Sequence, residues 1–139
     1  MDVELQALGR AVKQAQYRQH RALERELATI GTTLAQWDAL RAISNRQGAS
    51  ARTLASATFQ SEQAFGTLAT RLVTQGLAER RPGRGRRIEH HLTPDGERVL
   101  AAGHLVANKV LATCFAPLPT ADRAVLLDLL RRLTAGGDE

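Results

Sequence analysis

The sequence predicts a mainly α-helical fold with one small β-hairpin, in which a helix-turn-helix is flanked by long amphipathic helices at both ends. Apolar residues recur at three- and four-residue steps over most of the chain, the pattern of helices that turn one stripe to a core. Aromatic residues are only 4%, so Leu, Ala and Val must build that core, which suits helices better than sheets. One segment breaks the rhythm: between Leu77 and Leu92 two short extended stretches flank a turn with a proline and two glycines, a hairpin signal. A length of 139 residues fits one domain over 1–139 and excludes a two-domain cofactor enzyme.

Each element can be justified in order. After an N-terminus bearing Asp2 and Glu4, the stripe Leu5, Leu8, Val12, Ala15, Leu23, Leu27 and Ile30 predicts one long helix from Leu5 to Ile30, ended by Gly31. Thr32 or Thr33 caps a second helix that turns Leu34, Trp37, Leu40 and Ile43 to the core. Ser44 to Ser50, with Asn45 and Gly48, reads as a loop. Ala51 to Thr58 and Glu62 to Gln75 are helices separated by Phe59-Gln60-Ser61, with Ser61 as N-cap and Glu62 suited to the helix dipole. In the second of these, Ala64, Phe65, Leu68, Ala69, Leu72 and Val73 form the apolar stripe, and Gly76 stops the helix. Two helices so tightly joined have the outline of a helix-turn-helix.

After the hairpin, Thr93 caps a helix with Pro94 at its first position, running through Val99, Leu100, Gly103, Val106, Val110 and Leu111 to about Phe115. Pro117 and Pro119 end it, and Thr120 caps a last helix with Val125, Leu126, Leu129, Leu130 and Leu133 on one face, before a polar tail from Gly136 to Glu139. The first and last helices carry more apolar surface than one subunit buries, which points to a dimer interface.

Charge directs the functional reading. Lys+Arg number 19 against 14 Asp+Glu, and only Lys13 and Lys109 are lysines. Arginine is the better residue for bidentate contact with phosphates and guanine edges. Five arginines and two glutamates between Glu79 and His91 concentrate +3 of the formal net +5 in the hairpin. A recognition helix in a DNA major groove would offer Gln63, Thr67, Thr70 and Arg71 to bases and phosphates, Ser61 and first-turn amides to a phosphate, and Gly66 as a point of close approach. Arg84, Arg86 and Arg87, around glycines in a turn too short to bury them, would reach the minor groove or its phosphates. The bland alternative is an ordinary solvated surface, but such surfaces mix both signs.

No catalytic residues are expected. His90 and His91, adjacent in a strand, point to opposite faces, and no Cys/His spacing offers a metal site or calls for a cofactor. His20 and His104 are candidates for lining an interface or pocket. Cys114, the single cysteine, is expected to be buried and structural, without a disulfide. No apolar stretch approaches the length needed to span a bilayer or act as a signal peptide, so a cytoplasmic location is expected.

Three stretches carry a family resemblance: TTLAQWDALRAI, LASATFQSEQAFGTLATRLVTQGLAERR and HLTPDGERVL. With their Thr-x-x-Gln-Trp, Gly-Leu-x-x-Arg and Leu-Thr-x-x-Gly motifs in order, the chain resembles the MarR family of winged helix-turn-helix transcriptional regulators over almost its whole length. The resemblance implies a mainly α fold with a small β-wing, residues 33–93 forming the winged helix-turn-helix and 1–32 and 94–135 the dimerisation helices. It implies an obligate homodimer on a palindromic double-stranded DNA operator, with Glu62 to Gln75 in the major groove and the wing, Arg80 to Leu92, beside the minor groove. Most such proteins are repressors, and many release DNA on binding small phenolic or lipophilic ligands. His20 and Trp37 become candidates for the wall of that ligand pocket, although Trp37 is equally explained as a core anchor. An activator is the alternative, since promoter position decides the sign, and a winged-helix protein-interaction module without specific DNA contact is another. The chain departs from the family in its wing: the usual Asp-x-Arg falls on Arg84 and Arg86, without the aspartate, and the wing is about two residues shorter. The N-terminal cysteine of the peroxide-sensing branch is also missing.

Overall fold

A computed structural model describes residues 3–135; Asp2 and the tail from Gly136 to Glu139 lie outside the described residues. The chain runs α1 (Val3–Ala28), α2 (Leu34–Asn45), α3 (Ala51–Ala57), α4 (Glu62–Thr74), β1 (Ala78–Pro82), β2 (Ile88–Leu92), α5 (Pro94–Cys114) and α6 (Thr120–Thr134). The strands pair antiparallel, with Arg80 opposite His90 and Pro82 opposite Ile88. Mainly helical architecture with a two-stranded wing is therefore what the sequence builds.

Helix starts follow side-chain chemistry. Thr33, Ser50, Ser61 and Thr93 each accept a hydrogen bond from the backbone N–H three residues on, satisfying a donor that the first helical turn cannot. Thr120 does not cap α6 as expected: Pro119 holds the cap position without a side-chain hydrogen bond. Boundaries also shift slightly. α1 stops at Ala28, and Thr29–Gly31 close a turn in which Thr32 N–H donates to the Leu27 carbonyl at 3.3 Å. α2 continues to Asn45, into the expected loop, whose Ala49 then bridges to His90 and adds a single rung to the hairpin.

The core lies where α2, α3, α4 and the hairpin meet, with Leu40, Ile43, Leu54, Phe65 and Leu72 fully buried together with Leu27 of α1. On α4 the buried stripe is narrower than expected. Phe65, Leu68, Ala69 and Leu72 are inside, whereas Ala64 and Val73 are exposed because no element covers the flanks of the stripe. The outer helices differ most from the core. Among the described residues of α1 only Leu23 and Leu27 are buried, while Leu5, Leu8 and Val12 are exposed, and α6 buries none of its residues. Leu133 is 69% and Val125 57% exposed, values that a folded chain tolerates where another surface covers them.

The junction between wing and α5 is tightly made. The Thr93 hydroxyl donates to the Gly76 carbonyl at 2.6 Å, Thr93 N–H donates to the Leu77 carbonyl at 3.2 Å, and Gly96 N–H donates to Thr93 Oγ1 at 3.0 Å. Gly96 lies directly on the Leu77 carbonyl, with no room for a Cβ. The Gly-Leu and Leu-Thr-x-x-Gly motifs are thus two halves of one joint.

Candidate nucleic-acid interface

On α4 the exposed face carries Gln63, Thr67, Thr70 and Arg71. Ser61, also exposed, accepts from Ala64 N–H at 3.0 Å, which leaves its hydroxyl proton free to donate. The Thr67 hydroxyl donates back to the Gln63 carbonyl, which leaves its oxygen as an acceptor, and that of Thr70 donates to the Gly66 carbonyl. A Cβ at Gly66 would meet nothing within 4 Å. The closeness of approach there is an opening on the outer surface and not an internal packing need.

The structure ties this face to the wing through Arg80, which sequence reading placed in the wing and in a motif but gave no contact. From β1, Arg80 donates Nη1–H to Thr70 Oγ1 at 3.0 Å and Nη2–H to the Gly66 carbonyl at 2.9 Å. Thr70 and the Gly66 backbone, candidates for DNA contact, are therefore already engaged within the chain. The Arg80 Nε lies 3.5 Å from His90 Nε2. His90 is 2% exposed, packs edge-on to Phe65, and places Nδ1 3.0 Å from the Ala49 carbonyl. A carbonyl only accepts, so Nδ1 carries the proton and Nε2 is left to accept from Arg80.

Burial pushes the His90 pKa below its ordinary 6.5, and the charges of Arg80 and His91 add to this against the opposing Ala49 hydrogen bond. Above pH 6.5 the ring is neutral whether the chain is folded or unfolded, and stability is fully present. As pH falls from about 6.5 toward the lower folded value, the unfolded chain takes up a proton that the folded one refuses, and stability falls. Urea unfolding between pH 7.5 and 5.5 is expected to show this loss in wild type and a smaller one in His90→Gln. Equal losses would mean that His90 is not its source.

At the wing tip, Gly83 N–H donates to the Arg87 carbonyl and Arg87 N–H to the Arg84 carbonyl, with Gly85 at φ 61°. This turn presents Arg84, Arg86 and Arg87 to solvent, and none of the three is in an ion pair among the described residues. Arg81, by contrast, is paired with Glu79 at 2.9 Å. The missing wing aspartate has no replacement on these arginines, and backbone hydrogen bonds shape the turn.

The helix-turn-helix turn holds a second unanticipated feature. Phe59 N–H donates to the Ser56 carbonyl and Gln60 N–H to the Ala55 carbonyl, a Schellman closure whose central residue must be left-handed. Phe59 takes φ 58°, at a cost of about 1 kcal/mol for a side chain with a Cβ. The signal available in the sequence was a helix end followed by neither Gly nor Asn.

The other candidates fall elsewhere. Trp37 is buried, packs edge-on to His104 and lies against Gly103, while His20 is exposed on α1. Two open cavities of about 500 and 450 Å³ follow the seam of α1 and α5, sharing Ala22, Arg25, Thr113 and Cys114, and neither His20 nor Trp37 lines them. Cys114 is half-buried on that seam rather than buried in the core. No group of three potential metal ligands occurs, and no helix is long and apolar enough to cross a membrane, among the described residues.

Residues 30–88 match the model of the MarR family. No curated protein matches the chain significantly. Among solved structures, a probable transcriptional regulator from Pseudomonas aeruginosa is 28% identical over 90% of this chain and 95% of its own, with a TM-score of 0.81. A mutant Escherichia coli MarR complexed with operator DNA is 22% identical, with 96% of this chain and 99% of that one covered and a TM-score of 0.87. A Mycobacterium tuberculosis MarR family protein in complex with p-aminosalicylic acid is 23% identical, with 92% and 98% covered and a TM-score of 0.77.

Proposed function

We propose that this MarR-like chain is a homodimeric transcriptional regulator, not an enzyme, that represses from a palindromic double-stranded DNA operator and releases it when a small phenolic or lipophilic effector binds. The observation that carries the reading is that α4's outward Gln63, Thr67 and Arg71 and the unpaired Arg84, Arg86 and Arg87 belong to one unit, joined by Arg80. Ser61 and the first-turn amides would hold a phosphate at the groove edge. Similarity to the E. coli protein with operator DNA and to the M. tuberculosis protein with p-aminosalicylic acid supports the DNA and effector parts.

Dimerisation rests on the bare faces of α1 and α6, which a second copy would cover. Residues 1–32 and 94–135 are then the dimer body and 33–93 the DNA-reading unit. Two such units engage successive half-sites only when spaced roughly one helical turn apart, about 34 Å. An effector that favours another spacing shifts the population away from the bound form.

The test is binding to the protein's own upstream intergenic DNA against a scrambled duplex, at two salt concentrations, with oligomeric state monitored. A dimer that prefers the native fragment by tenfold, about 1.4 kcal/mol, supports the reading. In Arg86→Ala the affinity is expected to fall and the salt dependence to flatten by about one phosphate contact, with fold and dimer intact. Unchanged binding would remove Arg86 from the interface.

A further inference from the structure

Three helix ends in this chain close by the same pair of backbone hydrogen bonds. After α1 they are Gly31 N–H to the Ala28 carbonyl and Thr32 N–H to the Leu27 carbonyl; after α4, Gly76 N–H to Val73 and Leu77 N–H to Leu72; after α3, Phe59 N–H to Ser56 and Gln60 N–H to Ala55. Each needs a left-handed residue at the same place, and two have glycine, at φ 82° and 77°. The third has Phe59, the one non-glycine residue with positive φ among the described residues. Packing does not compensate the strain, because Phe59 is 95% exposed, the most exposed large apolar side chain described. Neighbouring Thr58 is buried and Gln60 donates to it at 3.0 Å, so the turn is held from the polar side alone.

We propose that Phe59 is a DNA-contacting residue whose ring packs on the apolar edge of the duplex, the deoxyribose faces and thymine methyls bordering the major groove. A strained, solvent-facing aromatic ring has its return outside the chain. Its position says which side: Phe59 stands two residues before Ser61, the cap of α4, so it travels with the end of the helix that enters the groove. Thymine methyls and sugar faces are the apolar surfaces a duplex offers there, and Phe is suited to them. The inference rests on the DNA-binding reading above and adds to it a contact without charge.

That lack of charge makes the contact separable from the arginines. The probe is a duplex selected by the wild-type protein from a random pool, titrated at two salt concentrations with wild type, Phe59→Gly and Phe59→Asn, both of which accept the left-handed backbone. Both variants are expected to unfold at higher temperature than wild type, yet to bind about tenfold more weakly, with the salt slope unchanged. Two variants guard against a loosened turn, since Asn restricts the backbone more than Gly. Binding equal to wild type in both would overturn the inference while leaving the DNA reading intact. A change in self-association with DNA affinity unaltered would make the ring a protein contact and overturn it as well. A wild-type protein that selects no duplex overturns both.

Discussion

Gly96→Ala is expected to cost about 3 kcal/mol or more, at or above the upper end of ordinary overpacking. The added Cβ would enter the Leu77 carbonyl oxygen, far inside contact distance, with the Leu77 carbonyl carbon only 3.0 Å away. Backbone cannot rotate aside as a side chain can, and this backbone is held at both flanks. Thr93 N–H occupies the same carbonyl, and the Thr93 hydroxyl holds Gly76. Relief requires α5 to lift off the root of the wing, breaking the Thr93 cap. For a chain of this size the loss lowers the melting temperature by about 10 °C. The same methyl at Gly9, which has nothing within 4 Å, should be neutral or slightly stabilising because alanine is the better helix former. Calorimetry of the two variants separates steric cost from helix propensity. A Gly96→Ala protein as stable as wild type would refute the joint.

Gly103→Ala should cost somewhat less, about 2 kcal/mol, because what it strikes is a side chain. Its Cβ would crowd the Trp37 indole at Cδ1 and Nε1. The ring is 6% exposed, flanked by His104 at 5.5 Å between centroids and by the Arg41 guanidinium at 5.1 Å, so it has little room to swing. Shrinking the ring should therefore rescue the variant. Trp37→Phe removes an indole N–H that is buried without a hydrogen-bond partner, which offsets part of the lost packing. In the double variant the two substitutions should cost about 1 kcal/mol less than their sum. Simple additivity in urea unfolding would show that Gly103 and Trp37 do not press on each other.

Both glycines were visible in the sequence, one inside a motif and one within an apolar stripe, but their reasons were not. Local chemistry was readable: Ser61 and Thr93 cap the helices assigned to them, because a cap bonds three residues ahead and needs no knowledge of the fold. The hairpin and the buried faces of α2 and α4 were readable for the same reason, apart from Ala64 and Val73 at the edge of a stripe whose width depends on what covers it. Arg80 shows where this ends. Its partners lie ten and fourteen residues away, on a helix whose distance from β1 only the folded chain defines. Phe59 shows it differently: its place in the turn between α3 and α4 was readable, its left-handed backbone and bare ring were not. Among the candidate interface residues, Gln63, Thr67, Arg71 and the three wing arginines are where exposure was expected, and Thr70 has a partner that no spacing rule foretold.

The joint at Thr93 makes α5 a lever. Its 21 residues form a rod of about 31 Å. The fulcrum is two hydrogen bonds wide, from Thr93 to Gly76 and Leu77 where α4 hands over to β1. A tilt of about 10° carries the far end of such a rod roughly 5 Å, while the near end barely translates. A fulcrum too stiff to bend would hand such a tilt on as a rotation of the α4 and wing unit. Through the small stretch from Leu92 to Gly96, displacement at one end of the molecule would be exchanged for angle at the other.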